Sequence, residues 1–354
     1  PDMDEFARRS AEDRRAYIQE AANSRDLTRN IIEKDFWVCW TLRRLVSCKD
    51  LSGQLMFKGG TSLSKSYNII HRFSEDIDLT IAKDASLICD VPSLMEDDIS
   101  SNERQRRSKA LKQAAQEYVR EILMPILKRE IEMALSTTDG WEIVADPDNP
   151  DAQTLLFNYP KTSGYGLNYG NDYGGRSDTG YIKPRIKLEF GARGDTEPFE
   201  MKTIVPYLAE EFPDELLDAG TEIPTLAATR TFWEKVTILH ALCHNGKLRD
   251  GMSRHYYDTL MLAQAGIAAE ALSKPELLAQ VVRNKSLMFA DKSASYDTAL
   301  MGTLRLSPSD AIVADLRRDY ANMAEMFMAE PPSFTDLLSG IAELEETVNS
   351  DNGS

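Results

Sequence analysis

Gln54-Leu55-Met56-Phe57-Lys58-Gly59-Gly60-Thr61-Ser62-Leu63-Ser64-Lys65, followed by Ser74-Glu75-Asp76-Ile77-Asp78-Leu79-Thr80-Ile81, decides the architecture. The apolar run at 54–57 reads as a buried strand that stops at Gly59-Gly60, because paired glycines punctuate a strand. Thr61 or Ser62 caps a helix running to about Ile70, and Asp76 to Ile81 alternates with the period of a second strand. Strand, glycine turn, helix, strand is the skeleton of an α/β unit.

The same stretch carries chemistry. In an extended strand Asp76 and Asp78 share one face, about 6.6 Å apart along the chain, while Ile77, Leu79 and Ile81 go to the core. Two neighbouring carboxylates repel, and enclosing them costs more, so the pair calls for a cation. Oxygen-only ligands favour Mg²⁺, which keeps waters and recruits phosphate oxygens. Two such ions can activate an attacking hydroxyl and steady a leaving pyrophosphate. Gly59 and Gly60 let the backbone approach a phosphate closely, at the positive end of the following helix, and Thr61, Ser62 and Ser64 add hydroxyl donors. Alone, a Gly-Gly is a turn and an Asp-x-Asp is a solvated strand face; their order is what points to nucleotidyl transfer. The P-loop pattern GxxxxGK[ST], the dinucleotide fingerprint GxGxxG and the hydrolase elbow GxSxG are absent.

Outward from this stretch, the first fifty residues read as helix, and Glu103 to Leu135 as a long charged helix interrupted at Pro125. Trp141 to Val144, Thr154 to Tyr159 and Ile182 to Phe190 read as strands. Between the last two, the Gly/Tyr/Asn/Asp-rich segment 164–180 reads as a hairpin loop or flap, with substrate contact as the alternative. From Thr231 onward only helices are expected, so a boundary falls near residue 225. Lys235, Leu239 and Leu242 share one face of the first of them, tethering an ammonium beside apolar neighbours; a snorkelling lysine has the same pattern. The histidines (His71, His240, His244, His255) make no metal set by spacing; His240 and His244 share a helical face without an HExxH glutamate.

Composition narrows the function classes. With 41 Lys plus Arg against 57 Asp plus Glu, the net charge is −16, which argues against coating DNA or an anionic membrane through the average field. Nucleic acid survives as a substrate if basic residues gather locally, with Arg104 to Arg107, Lys109 and Lys112, or Arg185 and Lys187, as candidates. The four cysteines lack a CxxC pair and read as reduced thiols. No run of about 18 apolar residues occurs, and Pro1-Asp2-Met3-Asp4-Glu5 is not a signal peptide, so a cytoplasmic protein with no membrane partner is expected.

Lys58 to Lys65 and Ser74 to Leu79 resemble the first motif of DNA polymerase β-like nucleotidyltransferases. More narrowly they resemble the AbiEii/AbiGii abortive-infection toxins of bacterial toxin–antitoxin systems. The likeness extends to Ile32-Glu33-Lys34-Asp35-Phe36-Trp37-Val38, to Phe232-Trp233-Glu234-Lys235 and to Tyr256-Tyr257-Asp258. It implies an α+β fold: a nucleotidyltransferase domain with a mixed sheet and N-terminal helices over 1–225, a helical bundle over 226–348, and a polar tail at 349–354. It also implies Mg²⁺-dependent use of an NTP, an RNA acceptor such as the tRNA 3′ end, arrest of translation, and a cognate antitoxin; sequence-specific DNA binding is not expected. Lys58, Gly59, Gly60, Thr61, Ser62 and Lys65 are the implied nucleotide contacts, the phosphate-contacting hydroxyl being Thr61 or Ser62, since many relatives have Gly-Ser where this chain has Gly-Gly-Thr. Asp76 and Asp78 are the implied metal ligands.

The resemblance further implies a third acid on a neighbouring strand. Glu189 fits, sharing a face with Lys183, Arg185 and Lys187 while Ile186, Leu188 and Phe190 take the other; its implied role is metal ligand or base for the acceptor hydroxyl, against a solvated edge strand favoured by Pro184. Lys235 becomes a triphosphate contact and Asp258 a residue that orients Lys235 or Arg254, where spacing alone gives an Arg254–Asp258 surface pair. Two other readings keep part of this site: modification of a protein or small molecule, or phosphate transfer, by the same residues; and a non-catalytic module that binds NTP or RNA.

Overall fold

A computed structural model describes residues 2–149, 151–162 and 182–350, so the 164–180 segment read as a loop or flap lies outside the described residues. Seven strands, β1 (Leu55–Lys58), β2 (Asp76–Ile81), β3 (Glu142–Ala145), β4 (Thr154–Asn158), β5 (Ile186–Gly191), β6 (Phe199–Ile204) and β7 (Thr221–Leu226), form one sheet in the order β3-β4-β5-β2-β1-β7-β6. Pairing is parallel for β2–β5 and β1–β7 and antiparallel elsewhere, which makes the sheet mixed, as expected. β5 lies between β2 and β4, so Glu189 is on an interior strand; Pro184 precedes it and breaks no ladder.

β6 and β7 are the elements the sequence hid. β7 contains Pro224, which has no N–H to give a ladder. β6 is a sheet edge whose Phe199 and Met201 are exposed, so its pattern lacks an inward apolar set. The helix after β1 also differs from expectation: it spans Gly59–Lys65, starting before Thr61 and ending well short of Ile70. Gly59 has φ +76°, which turns the chain sharply as it leaves β1. At the other end the N–H groups of Ser66 and Tyr67 both reach the Ser62 carbonyl, closing the helix. Pro125 does not interrupt its helix either. Ser101–Tyr118 continues through a π-helical turn, Val119–Leu123, into Met124–Leu135, and the Met124 N–H reaches back to Val119 O.

Apolar side chains sort into two clusters. In the first, Leu55, Phe57, Ile77, Leu79, Ile186 and Leu188 line one face of the sheet and pack with Phe36, Trp37 and Trp40 of the helix Arg29–Ser47. Trp37 stacks on Tyr159 with centroids 5.5 Å apart, and Trp40 on Phe157 at 6.1 Å. Burial of each such side chain contributes about 1.5–3 kcal/mol, so this helix is fixed firmly to the sheet. The second cluster belongs to the helices Ala228–Asn245, Ser253–Gln264, Pro275–Met288 and Phe334–Asn349, with Leu63 and Ile70 of the glycine-loop region inserted into it. The final helix extends to Asn349, whose side-chain amide binds both backbone groups of Leu304.

Three consecutive charged residues in Arg29–Ser47 are buried, and each ties the helix to a different segment. Glu33 accepts from the Thr162 N–H (2.9 Å) and hydroxyl (3.2 Å). Lys34 donates to Glu75 and to the Lys183 carbonyl, both at 2.9 Å. Asp35 pairs with Lys65 at 2.8 Å and accepts the Tyr207 N–H at 2.6 Å. Lys34 thus holds the residue before Asp76, and Asp35 holds the end of the glycine-loop helix.

Burial lifts the Glu33 carboxyl from an ordinary 4.5 to about 7, despite the Thr162 hydrogen bonds and the nearby Arg14 charge. A carboxyl raised on folding favours the folded state fully below its unfolded pKa, and that advantage disappears as pH climbs toward 7. Wild type is therefore expected to lose as much as roughly 3 kcal/mol from this group between pH 4.5 and 8. Glu33→Gln should flatten that part of the stability–pH profile. Urea unfolding at several pH values checks it; an unchanged slope in the variant counts against the assignment.

Candidate active site

Register assembles the site. Lys58 lies opposite Asp78 in the β1–β2 pair, Asp76 opposite Lys187 and Asp78 opposite Glu189 in the β2–β5 pair. All five side chains therefore rise from the sheet face opposite the first cluster. Lys58, Asp76, Asp78 and Glu189 border a cleft of about 270 Å³ whose further lining includes Thr231, Glu234 and Lys235 of Ala228–Asn245, Arg254 and His255 of Ser253–Gln264, and Lys285 of Pro275–Met288. Of the expected site residues, Lys58, Gly59, Gly60, Asp76, Asp78, Glu189 and Lys235 line it together.

The carboxylates are crowded. Burial, then repulsion from Glu189, push Asp78 up to about 7, with Lys58 opposing. Asp76 is raised for the same two reasons, against Lys187 and Lys34. Burial would raise Glu189 too, but hydrogen bonds from Lys187 (2.8 Å) and Asp78 outweigh it and hold Glu189 below the usual range.

The donor set suits a hard divalent cation. Among the described residues no three or more His, Cys, Asp or Glu side chains form a ready cage, and Glu189, expected as a third ligand, is engaged by Lys187 and Asp78. Mg²⁺ needs no such cage, since one or two carboxylates, waters and substrate phosphates complete its shell. Two half-buried carboxylates raised by burial and by the Glu189 charge are short of positive charge, which a cation at Asp76 and Asp78 would supply.

The loop residues divide differently from expectation. Gly59 and Gly60 border the cleft, but both candidate hydroxyls bond backbone: Thr61 donates to the Asp76 carbonyl, with that of Ser74 3.3 Å away, and Ser62 to the Gly59 carbonyl at 2.7 Å. Thr61 therefore braces the start of β2 while Ser74, unmarked as a contact in the sequence, lines the cleft. Lys65 lies outside it, paired with Asp35 and 3.8 Å above the Tyr207 ring. A Cβ at Gly60 would come within 2.6 Å of Arg72 Nη2 and 2.8 Å of Ser74 Oγ; one at Gly59 would run into Asp78 Oδ2. Gly59→Ala is accordingly expected to destabilise by about 1–3 kcal/mol, from positive φ and displacement of Asp78, and to reduce turnover roughly a hundredfold. Thermal melting and turnover measured together test this, and wild-type turnover in the variant would contradict it.

Asp258 departs most from its spacing. It is fully buried, grips Arg72 through two hydrogen bonds of 2.8 Å, and pairs with Lys235 at 3.0 Å. Arg254 is exposed on the cleft rim, so the i,i+4 pair is not made; the partner is Arg72, an isolated arginine with no sequence pattern to single it out. Burial would raise Asp258, but Arg72 and Lys235 hold it far below the carboxylate range. Burial lowers Lys235, against Asp258, with Arg72 and Arg254 adding to the fall. Its ammonium also meets His255 Nδ1 at 3.2 Å, and burial with the Lys235 charge keeps His255 neutral. The helical wall thus presents a lysine fixed on two sides and aimed across from the acids.

The basic run of Ser101–Tyr118 is largely paired: Arg106 and Arg107 with Glu103, Arg107 also with Glu96, and Lys112 with Asp151. No helix among the described residues is long and apolar enough to cross a membrane.

No curated protein matches this chain. Among solved structures it is similar to MenT4, a nucleotidyltransferase toxin from Mycobacterium tuberculosis, at 15% identity and a TM-score of 0.40, over 95% of this chain and 99% of that one. The family model described as nucleotidyl transferase AbiEii toxin, type IV toxin–antitoxin system, matches residues 40–342, from the helix before β1 to the final helix of the bundle. The chain belongs to that family and is a toxin nucleotidyltransferase of a type IV toxin–antitoxin system.

Proposed function

We propose that this nucleotidyltransferase moves a nucleotidyl group from an NTP to the 3′ end of an RNA, a tRNA in the first instance, in a Mg²⁺-dependent reaction that blocks translation in the cytoplasm until its antitoxin intervenes. The observation that carries the reading is the strand register that sets Asp76 and Asp78 beside Glu189 and across a cleft from Lys235.

Asp76 and Asp78 would hold Mg²⁺, which when bound would neutralise the triphosphate and favour attack on its α-phosphorus. Gly59 and Gly60 bring backbone close to the phosphates. Glu189, kept ionised by Lys187, accepts the proton of the acceptor hydroxyl as its oxygen bonds to the α-phosphorus. The α,β-bridging P–O bond breaks, and the electron pair leaves on pyrophosphate. Lys235, held by Asp258 and His255, stabilises the charge that develops there. The catalytic set is thus Asp76, Asp78, Glu189 and Lys235, with Asp258 and Arg72 as positioning residues.

Incubation with a tRNA pool, Mg²⁺ and each labelled NTP in turn tests the reading. Label on the tRNA 3′ end supports it. No transfer by wild type to any RNA removes the RNA acceptor, and a product mass increased by phosphate alone replaces nucleotidyl with phosphoryl transfer.

A further inference from the structure

Of the cleft's cations, Arg72 and Lys235 are bound to Asp258, while Lys58, Arg254 and Lys285 have no carboxylate partner among the described residues. Lys58 faces Asp78 across the strand pair, and Arg254 is exposed. Lys285 has neither arrangement. Its half-buried ammonium lies 5.0 Å from the Phe289 ring centroid, and the acid in its field, Glu234, is shared with Arg230, whose Nε is 3.4 Å from Glu234 Oε1. Lys58, Arg230 and Lys235 add like charge around it.

A second polar group at this wall is also incomplete. Thr231 is 3% exposed and lines the cleft, yet its Oγ1 has no hydrogen-bond partner among the described residues. A buried hydroxyl left unpaired costs about 1–3 kcal/mol, and an enclosed ammonium among three cations costs more, so both groups await an oxyanion. Burial and the neighbouring cations lower Lys285, as an arriving anion would reverse.

We infer that Lys285 and Thr231 form a pyrophosphate subsite on the helical wall, which with Lys58 and Lys235 holds the β- and γ-phosphates of the NTP. Three lysines about one cleft match a ligand with several charges on adjacent phosphates; a phosphodiester of the acceptor strand brings only one charge per phosphate. The inference rests on the nucleotidyl-transfer reading and deepens it: Lys285 and Thr231 grip the leaving group, and neither touches the acceptor.

The experiment is calorimetric titration of the full chain, with Mg²⁺ present, by inorganic pyrophosphate, by CMP and by a short single-stranded RNA, for wild type, Lys285→Met, Lys285→Arg and Thr231→Val. Lys285→Met should weaken pyrophosphate about tenfold or more and leave CMP and RNA unchanged; Lys285→Arg should stay within about threefold of wild type, and Thr231→Val should weaken pyrophosphate about fivefold. Equal pyrophosphate affinity in wild type and Lys285→Met overturns the subsite while the nucleotidyl-transfer reading stands. Weakened RNA binding with unchanged pyrophosphate reassigns Lys285 to the acceptor and overturns it as well. Absence of pyrophosphate binding in wild type overturns the subsite, and joined to absence of label transfer from every NTP it removes both readings.

Discussion

Asp78→Asn is expected to lower nucleotidyl transfer by at least about a thousandfold, equivalent to about 4 kcal/mol of transition-state stabilisation, while the fold survives with equal or higher stability. The two halves of this expectation come from one property. Asp78 is raised to about 7 because burial and Glu189 disfavour its charge, so an uncharged side chain of the same shape relieves the folded state. The same substitution removes the carboxylate that would hold a cation against Asp76, and it weakens the local field that draws Mg²⁺ with its triphosphate. Chelating Mg²⁺ from wild type should produce a loss of the same size, and little further loss in the variant. Transfer assays paired with thermal melting decide the matter. A variant within tenfold of wild type, or one that is inactive only because it is unfolded, argues against the metal-binding role of this residue.

Legibility of the sequence followed the range of the interactions. β2 was readable to the residue, since Asp76-Ile77-Asp78-Leu79-Thr80-Ile81 alternates, but its register with β1 and β5 belongs to the folded sheet and has no cue in that pattern. The interior face of β5 was readable for the same reason. β7 was not, because Pro224 speaks against a strand and only pairing with β1 and β6 overrides it. Thr61 and Ser62 were read as helix cap and phosphate-contacting hydroxyls, but residue type says nothing about direction: both lie inside the helix and face backbone, and Ser74 is the hydroxyl at the cleft. Lys65 was read as a nucleotide contact only through the motif resemblance. Asp35, thirty residues earlier, instead fixes it in a buried pair, a long-range fact no local pattern encodes. The Ile32–Val38 stretch, read from its apolar spacing as helix, has a physical reason for its three charges: each anchors a different segment, and Lys34 and Asp35 hold the two that flank the site.

Asp258 illustrates the largest such gap, and it carries the largest expected effect on stability. Asp258→Ala should destabilise the protein by about 3–5 kcal/mol, because it leaves two buried cations, Arg72 at 2% exposure and Lys235 at 6%, without their common counter-charge. The penalty belongs to the stranded charges more than to the lost contact, so removing a partner should recover part of it. Arg72→Met combined with Asp258→Ala is expected to be less destabilised than the sum of the single variants by roughly 2–3 kcal/mol, measured by urea unfolding of all four proteins. A bland packing role predicts additivity, and additive values would refute the charge argument. A positioning role makes a further demand that stability alone does not. Asp258→Glu retains the charge but moves it by one methylene, so under conditions where it remains folded, kcat should fall by about tenfold to a hundredfold as Lys235 shifts from the leaving group. Because Asp258 itself does not touch the cleft, affinity for CMP, which lacks the leaving phosphates, should stay at the wild-type value. A variant that loses CMP binding along with turnover would mean that Asp258 shapes the cleft as a whole, and the lysine would have to be positioned by His255 alone.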